Sequence, residues 1–283
     1  MSRPTQLSRA HERQTFDVIC AGEALWRGAG VVRDLAAREA SAAVFEIARL
    51  LARAEARVGV AAVIDDDRRG RSTLAELTAL RVEVGGVKLA PPGANLIVVD
   101  AVGGQAGIVA DQRPRTPFEV PHAWVSQVLV LSGLSPVTSK AAAVCKAARR
   151  ARREGAAVVL DVAGSLREWV GHDARTIAMV LREADVVRCS FVDLAVLGTD
   201  TARVRGSMRE GAILVLHDAH GAVAMGRFGE VHVEAREMDR ERAGEVCAAT
   251  IGFELARPRG GLESEEARWH RVLREVASRV GAS

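Results

Sequence analysis

The sequence predicts an α/β fold built on a mostly parallel sheet, and three observations carry that expectation. From residue 127 onward, short apolar runs alternate with longer helical patterns. Two pairs of short strands punctuated by glycine turns stand apart from that alternation, near 95–111 and 221–234. At 283 residues the chain is long enough to bury a sizeable core in one large domain. Alternating strands and helices imply a sheet covered on both faces, whose strands read as nearly continuous apolar runs. Periodicity alone leaves a simple nucleotide-binding fold as a competitor.

The elements follow in order. Residues 1–15 carry Arg3, Arg9, His11, Glu12 and Arg13 before any apolar segment and are read as a disordered tail, leaving 16–283 as the domain. Phe16 to Gly22 is a short apolar run ending in glycine. A helical pattern over 41–54 and a strand over 57–64 complete a βαβ start. Residues 70–82 read as a helix, and 95–111 as two strands joined by the turn Val102-Gly103-Gly104-Gln105. Next come strand 127–132, the Ala/Arg-rich helix 138–154, strand 156–162, helix 172–183 and strand 185–189. Helices near 191–197 and 200–210 lead to strand 212–217. Strands 221–226 and 230–234 flank Gly226-Arg227-Phe228-Gly229, and helices near 244–257 and 263–280 close the chain.

Composition narrows the function classes. The formal net charge is +3, with charges interspersed and Lys only at 88, 140 and 146. Aromatic residues make up 4% with no Tyr, so there is little to stack bases on, and nucleic acid is not an expected partner. Cys20, Cys145, Cys189 and Cys247 lack CxxC spacing and read as buried free thiols of a reducing, cytoplasmic compartment. No apolar run approaches the roughly 20 residues that span a bilayer, and the N-terminus does not resemble a signal peptide. Asp65-Asp66-Asp67 reads as a solvated turn, because consecutive carboxylates diverge where a hard cation needs them to converge.

The most informative stretch is Asp239-Arg240-Glu241-Arg242-Ala243-Gly244-Glu245, set between a strand pattern and a small-residue apolar helix. A turn there aims free backbone N–H groups at an anion. It resembles the Asp-Thr-Thr-Gly-Ala-Gly-Asp signature of the ribokinase-like (PfkB) carbohydrate kinases, with Asp239, Ala243 and Gly244 matching. The resemblance implies a ribokinase-like three-layer α/β sandwich with a small β lid from parts of 24–40 and 88–120, and ATP with Mg²⁺ as cofactors. It implies that Arg242, Ala243 and Gly244 form the anion hole, and that Glu245 stands where the family has its catalytic base.

Elsewhere the resemblance keeps the frame and changes the lining. Gly22-Glu23-Ala24-Leu25-Trp26 matches the family's first-strand motif, but Arg27 stands where a sugar-binding Asp is expected. A guanidinium offers donors only and cannot accept from a neutral polyol. Ala37-Arg38 falls at the family's substrate-facing glycine pair and Ala42 at its Asn; side chains there fill space that bare backbone leaves to the ligand. Asp66 and Gly70 fit the turn after the next strand. Asp161 is kept from the Asp-Pro-Asn region, with Ala163 for the Asn. Ser190 and Asp193 take the place of the motif that organises Mg²⁺. His217, Asp218 and Gly221 fall at the nucleotide-phosphate turn, and His217 and His220 are read as surface or phosphate-facing histidines.

These departures together point to a degenerate sugar-kinase site: a weak kinase, or a noncatalytic protein binding a sugar phosphate or nucleotide. The alternative is an active ATP-dependent sugar kinase with Glu245 as base. Arg27, Arg38 and Arg242 would converge in the first reading and favour an anionic ligand. A third reading, a homodimer through the lid, draws on the apolar run Asn95-Leu96-Ile97-Val98-Val99.

Overall fold

The structure is a computed structural model. It describes residues 13–23, 26–29, 43–92, 96–102, 105–110, 117–132, 141–162, 174–191, 194, 200–218, 220–235, 243–258 and 263–280.

The main sheet starts with β1 (Gln14–Glu23), which pairs in parallel with β3 (Val58–Asp65) on one side and β7 (Trp124–Ser132) on the other. Beyond β7 come β8 (Ala157–Asp161), β9 (Val186–Ser190) and β10 (Ile213–His217), all parallel. The hairpin β11 (Gly221–Gly226) and β12 (Gly229–Glu234) adds two antiparallel strands at one edge, and β4 (Lys88–Ala90) closes the other. The order in this nine-stranded sheet is β12-β11-β10-β9-β8-β7-β1-β3-β4. A separate three-stranded sheet runs β2-β5-β6, from Trp26–Ala29, Leu96–Val102 and Gln105–Ala110.

Two boundaries differ from the sequence expectation. The first strand begins at Gln14, inside the expected tail, because Gln14 and Thr15 find partners in Trp124 and Val125 of β7. Residues 88–90, placed in the lid range, instead lie along β3, where Val63 pairs with Lys88 and the Asp66 amide donates to the Ala90 carbonyl at 2.7 Å. An unpaired edge of β3 would leave backbone groups unsatisfied, so the main sheet takes this segment. Within the expected lid ranges the other described strands are β2, β5 and β6.

Helices cover both faces. On one lie α1 (Ala43–Arg53), α2 (Arg68–Ala79), α6 (Ala243–Ala256) and α7 (Glu265–Val280); on the other, α3 (Ala141–Arg153), α4 (Ala174–Leu181) and α5 (Thr201–Ser207). The strand period sorts the core accordingly. Val18, Cys20, Val130 and Val215 face α6, while Ile19, Ala21, Leu129 and Leu214 face α3 and α4. Helix α6 is apolar nearly all round, as a helix must be when it packs against α1, α7 and strands β1, β7 and β8 at once. Asp67 caps α2 by accepting from the Gly70 amide at 2.7 Å, and Asp66 pairs with Arg71, so this acidic turn is occupied with local structure. The four cysteines are free and buried. No helix among the described residues is long and apolar enough to cross a membrane.

Candidate active site

The C-terminal ends of the parallel strands and the N-terminus of α6 meet on one face of the sheet. Open α/β sheets bind ligands outside this edge. Because side chains alternate along each strand, Ser132 of β7, Asp161 of β8 and Arg188 of β9 form a polar row on the α6 side, and His217 of β10 stands on the same side two residues beyond Val215, the register partner of Arg188. All four are buried.

The row is hydrogen-bonded at one end and open at the other. Ser132 Oγ donates to Asp161 Oδ2 at 2.6 Å, and Arg188 Nη1 donates to Asp161 Oδ1 at 2.8 Å. Arg188 is 0% exposed and Asp161 2%. Burial works against the guanidinium's charge, but Asp161, with Cys247 and Glu245 behind it, holds its pKa above the ordinary value. Nε and Nη2 of Arg188 find no hydrogen-bond acceptor, and neither ring nitrogen of His217 has a partner. Buried polar atoms without partners are rare enough to call for an explanation.

Above the row stands the first turn of α6. A Cβ built on Gly244 would lie 2.2 Å from Arg188 Nη2, so only a glycine leaves room for the guanidinium against the helix backbone. The first amides of a helix have no intrahelical acceptor and carry the positive end of its dipole. Burial pushes the Cys247 thiol, one turn along and against the same guanidinium, up to about 11, so it is an inert wall of the site.

His217 is held neutral, its pKa pushed down to about 2 by burial first and by Arg188 second. The unfolded ring takes its proton near pH 6.5, so below that pH the unfolded chain binds a proton that the folded chain refuses. His217 therefore contributes stability that is fully present above pH 6.5 and is lost as pH falls, by up to about 1.4 kcal/mol per pH unit. A His217→Leu variant is expected to lose Tm less steeply between pH 6 and pH 4 than the wild type. Parallel Tm profiles would rule this linkage out.

Of the residues read from sequence, Ala243, Gly244 and Glu245 come together as the first three residues of α6, with Glu245 half-buried. Asp161, Ser190 and His217 end β8, β9 and β10, and Ser190 is the register partner of His217. His220 is exposed, but His217 is not the surface residue the sequence allowed: it faces the α6 layer and is covered. The Asp218 carboxylate accepts from the amides of His220 and Gly221, at 2.7 and 3.1 Å, which commits it to the turn. Gly221 is fixed by close approach, since a Cβ there would stand 2.2 Å from the Val233 carbonyl oxygen. Arg27 lies in β2 opposite Ile97. Arg38, Ala42, Ala163, Asp193 and Arg242 lie outside the described residues.

Arg188 and Ser132 were not singled out from sequence. The available signal was an arginine inside the apolar run Val186-Val187-Arg188-Cys189, which a strand buried on both faces does not tolerate without a partner. Two clefts of about 540 and 650 Å³ open at the opposite edge of the sheet, the first lined by Arg152, Asp185 and Arg209. Arg152 and Arg209 are already paired there, with Glu183 and Asp185. Arg188 and His217, which have buried nitrogens without partners, lie instead at the α6 edge.

No protein-family model matches the chain, and no curated protein matches it in sequence. Solved structures do match. The aminoimidazole riboside kinase of Salmonella enterica, complexed with aminoimidazole riboside and an ATP analogue, aligns with a TM-score of 0.69 at 18% identity, over 95% of this chain and 92% of that one. The fold is ribokinase-like. The fructokinase of Xylella fastidiosa with bound ATP gives 0.65 at 17% identity, over 95% and 92% of the two chains. A PfkB protein of Polaromonas sp. gives 0.62 at 21%, over 95% of each. These ribokinase-like structures are sugar kinases of the PfkB group, and the likeness runs through nearly the whole chain.

The chemistry of the α6 end, the start of a helix over a buried cation, suits an anion such as a phosphate group. Among the described residues no group of three His, Cys, Asp or Glu side chains is placed to hold a metal ion. A Mg²⁺ role rests on Asp193, outside them.

Proposed function

We propose that the chain is a PfkB-type carbohydrate-kinase homologue whose altered lining makes it a weak kinase or a noncatalytic binder of a sugar phosphate or nucleotide. The observation that carries this reading is the α6 N-terminus standing bare-backboned at Gly244 over the buried Arg188. Both features favour an anion. Arg27, in a lid strand where the resemblance expects an acceptor for sugar hydroxyls, adds a donor-only group. Arg38 and Arg242 complete this reading if they converge on the same anion. In it, Ala243 and Gly244 supply amides to the phosphoryl group and Arg27 orients the anionic end of the ligand.

Thermal-shift titration decides the ligand class, since a ligand specific to the native state raises Tm. Sugar phosphates and ATP–Mg²⁺ are expected to raise it; neutral hexoses and pentoses are not. At a ligand concentration of about 100 Kd the stabilisation is about 2.7 kcal/mol, an easily read shift. Shifts with neutral sugars alone would overturn the anion reading.

The second reading, an active kinase, is favoured by Ala243, Gly244 and Glu245 sharing one helix turn. There ATP would supply the transferable phosphoryl group and Glu245 would take the proton of the acceptor hydroxyl. A second copy of the chain docked through the three-stranded lid is compatible with either reading.

A further inference from the structure

We infer that Arg188 is a positioning residue that gives the α6 N-terminus its selectivity for a highly charged phosphoryl group. It does so as a fixed cation buried beneath the turn, without touching the ligand. The inference rests on the anion-binding reading above and names the residue that sets its strength.

Four observations combine. Arg188 is fully buried, so its charge is not dispersed by water and acts on its surroundings through protein. Asp161 engages it through Nη1 alone, from the β8 side, which leaves Nε and Nη2 without an acceptor. The buried dipole of this pair therefore turns a positive end away from Asp161, and Nη2 lies against Gly244, in the first turn of α6. The charge adds there to the positive end of the helix dipole, in the same place and with the same sign. Among its neighbours His217 is neutral and the Cys247 thiol is protonated, so the opposing charges are the Asp161 carboxylate on β8 and Glu245, the third residue of the helix itself.

A purely space-filling role would be served by any long apolar side chain at lower cost, because a buried ion pair seldom outperforms the hydrophobic pair that could replace it. Keeping the charge and sacrificing two hydrogen bonds is accounted for by an electrostatic task. The glycine at 244 then has a specific reason: it admits the guanidinium to the helix floor.

The test is calorimetric titration of the full chain with inorganic phosphate and with ATP. The Asp161→Asn/Arg188→Met double variant removes both charges together and so avoids leaving either one buried alone. With a wild-type-like circular dichroism spectrum and a cooperative melt, it is expected to bind both anions about tenfold or more weakly. Arg188→Lys keeps the charge and is expected to stay within about threefold of wild type. Wild-type affinity in the folded double variant overturns the inference while leaving the anion site intact. So does a Lys variant as weak as the double variant, because charge would then not be what matters. Should the double variant not fold, Gly244→Ala decides: its methyl displaces the guanidinium, and unchanged phosphate affinity overturns the inference. If the wild type binds neither phosphate nor ATP, the anion reading fails and this inference with it.

Discussion

Asp161→Ala is expected to lower the unfolding free energy by about 3–5 kcal/mol, because it strands a buried guanidinium without its counter-charge. For a chain of this size that is a drop in Tm on the order of 10 °C. Asp161 is 2% exposed and accepts from both Ser132 Oγ and Arg188 Nη1, so the substitution also leaves a buried hydroxyl without its acceptor. The sign of the pair's net contribution is a separate matter. In the Asp161→Ala background, Arg188→Met should recover most of the loss, since neutral apolar side chains of similar volume carry no desolvation penalty. Denaturant melts of the two single variants and the double variant form the cycle that measures the coupling. Additive losses would mean that the two residues do not act as a pair.

Glu245→Gln separates the two functional readings. Glu245 is the third residue of α6 and half-buried, so Gln keeps its shape and its place in the first turn while removing its charge and its ability to take a proton. If the chain is an active kinase, ADP release with ATP, Mg²⁺ and a hydroxylated acceptor is expected to fall by about 10²–10⁴, the usual share of general-base assistance. Anion affinity should hold or rise slightly, as a negative charge is removed next to the phosphoryl position. Turnover in the Gln variant equal to wild type would remove Glu245 from the chemistry. Undetectable ADP release in the wild type under the same conditions would leave the binding reading as the function.

Much of the fold was legible in advance because it is written locally. The small apolar stretch ending in Ala256 could only be a buried helix, and the expected span 244–257 lies one residue from the observed Ala243–Ala256. The hairpin around Gly226 to Gly229 and the paired strands 96–102 and 105–110 were announced by their glycines and strand alternation. What escaped was decided at edges and across strands. The short strand Lys88–Ala90 went to the main sheet because β3 offered unpaired backbone, a fact no window of sequence contains. His217, expected from its place at the phosphate turn to be at the surface or facing phosphate, is covered, because its position in β10 directs it into the α6 layer.

The site divides in the same way. Sequence pattern alone fixed which residues open α6, since a glycine and an acidic residue entering an apolar helix are local signals, and it fixed the order of strands and helices that makes the sheet. Only tertiary structure joined Asp161 to Arg188, which are 27 residues apart, and set Arg188 against Gly244. The reason is geometric: neighbouring parallel strands are separated in sequence by a whole crossover, so residues that touch across the sheet share no local pattern.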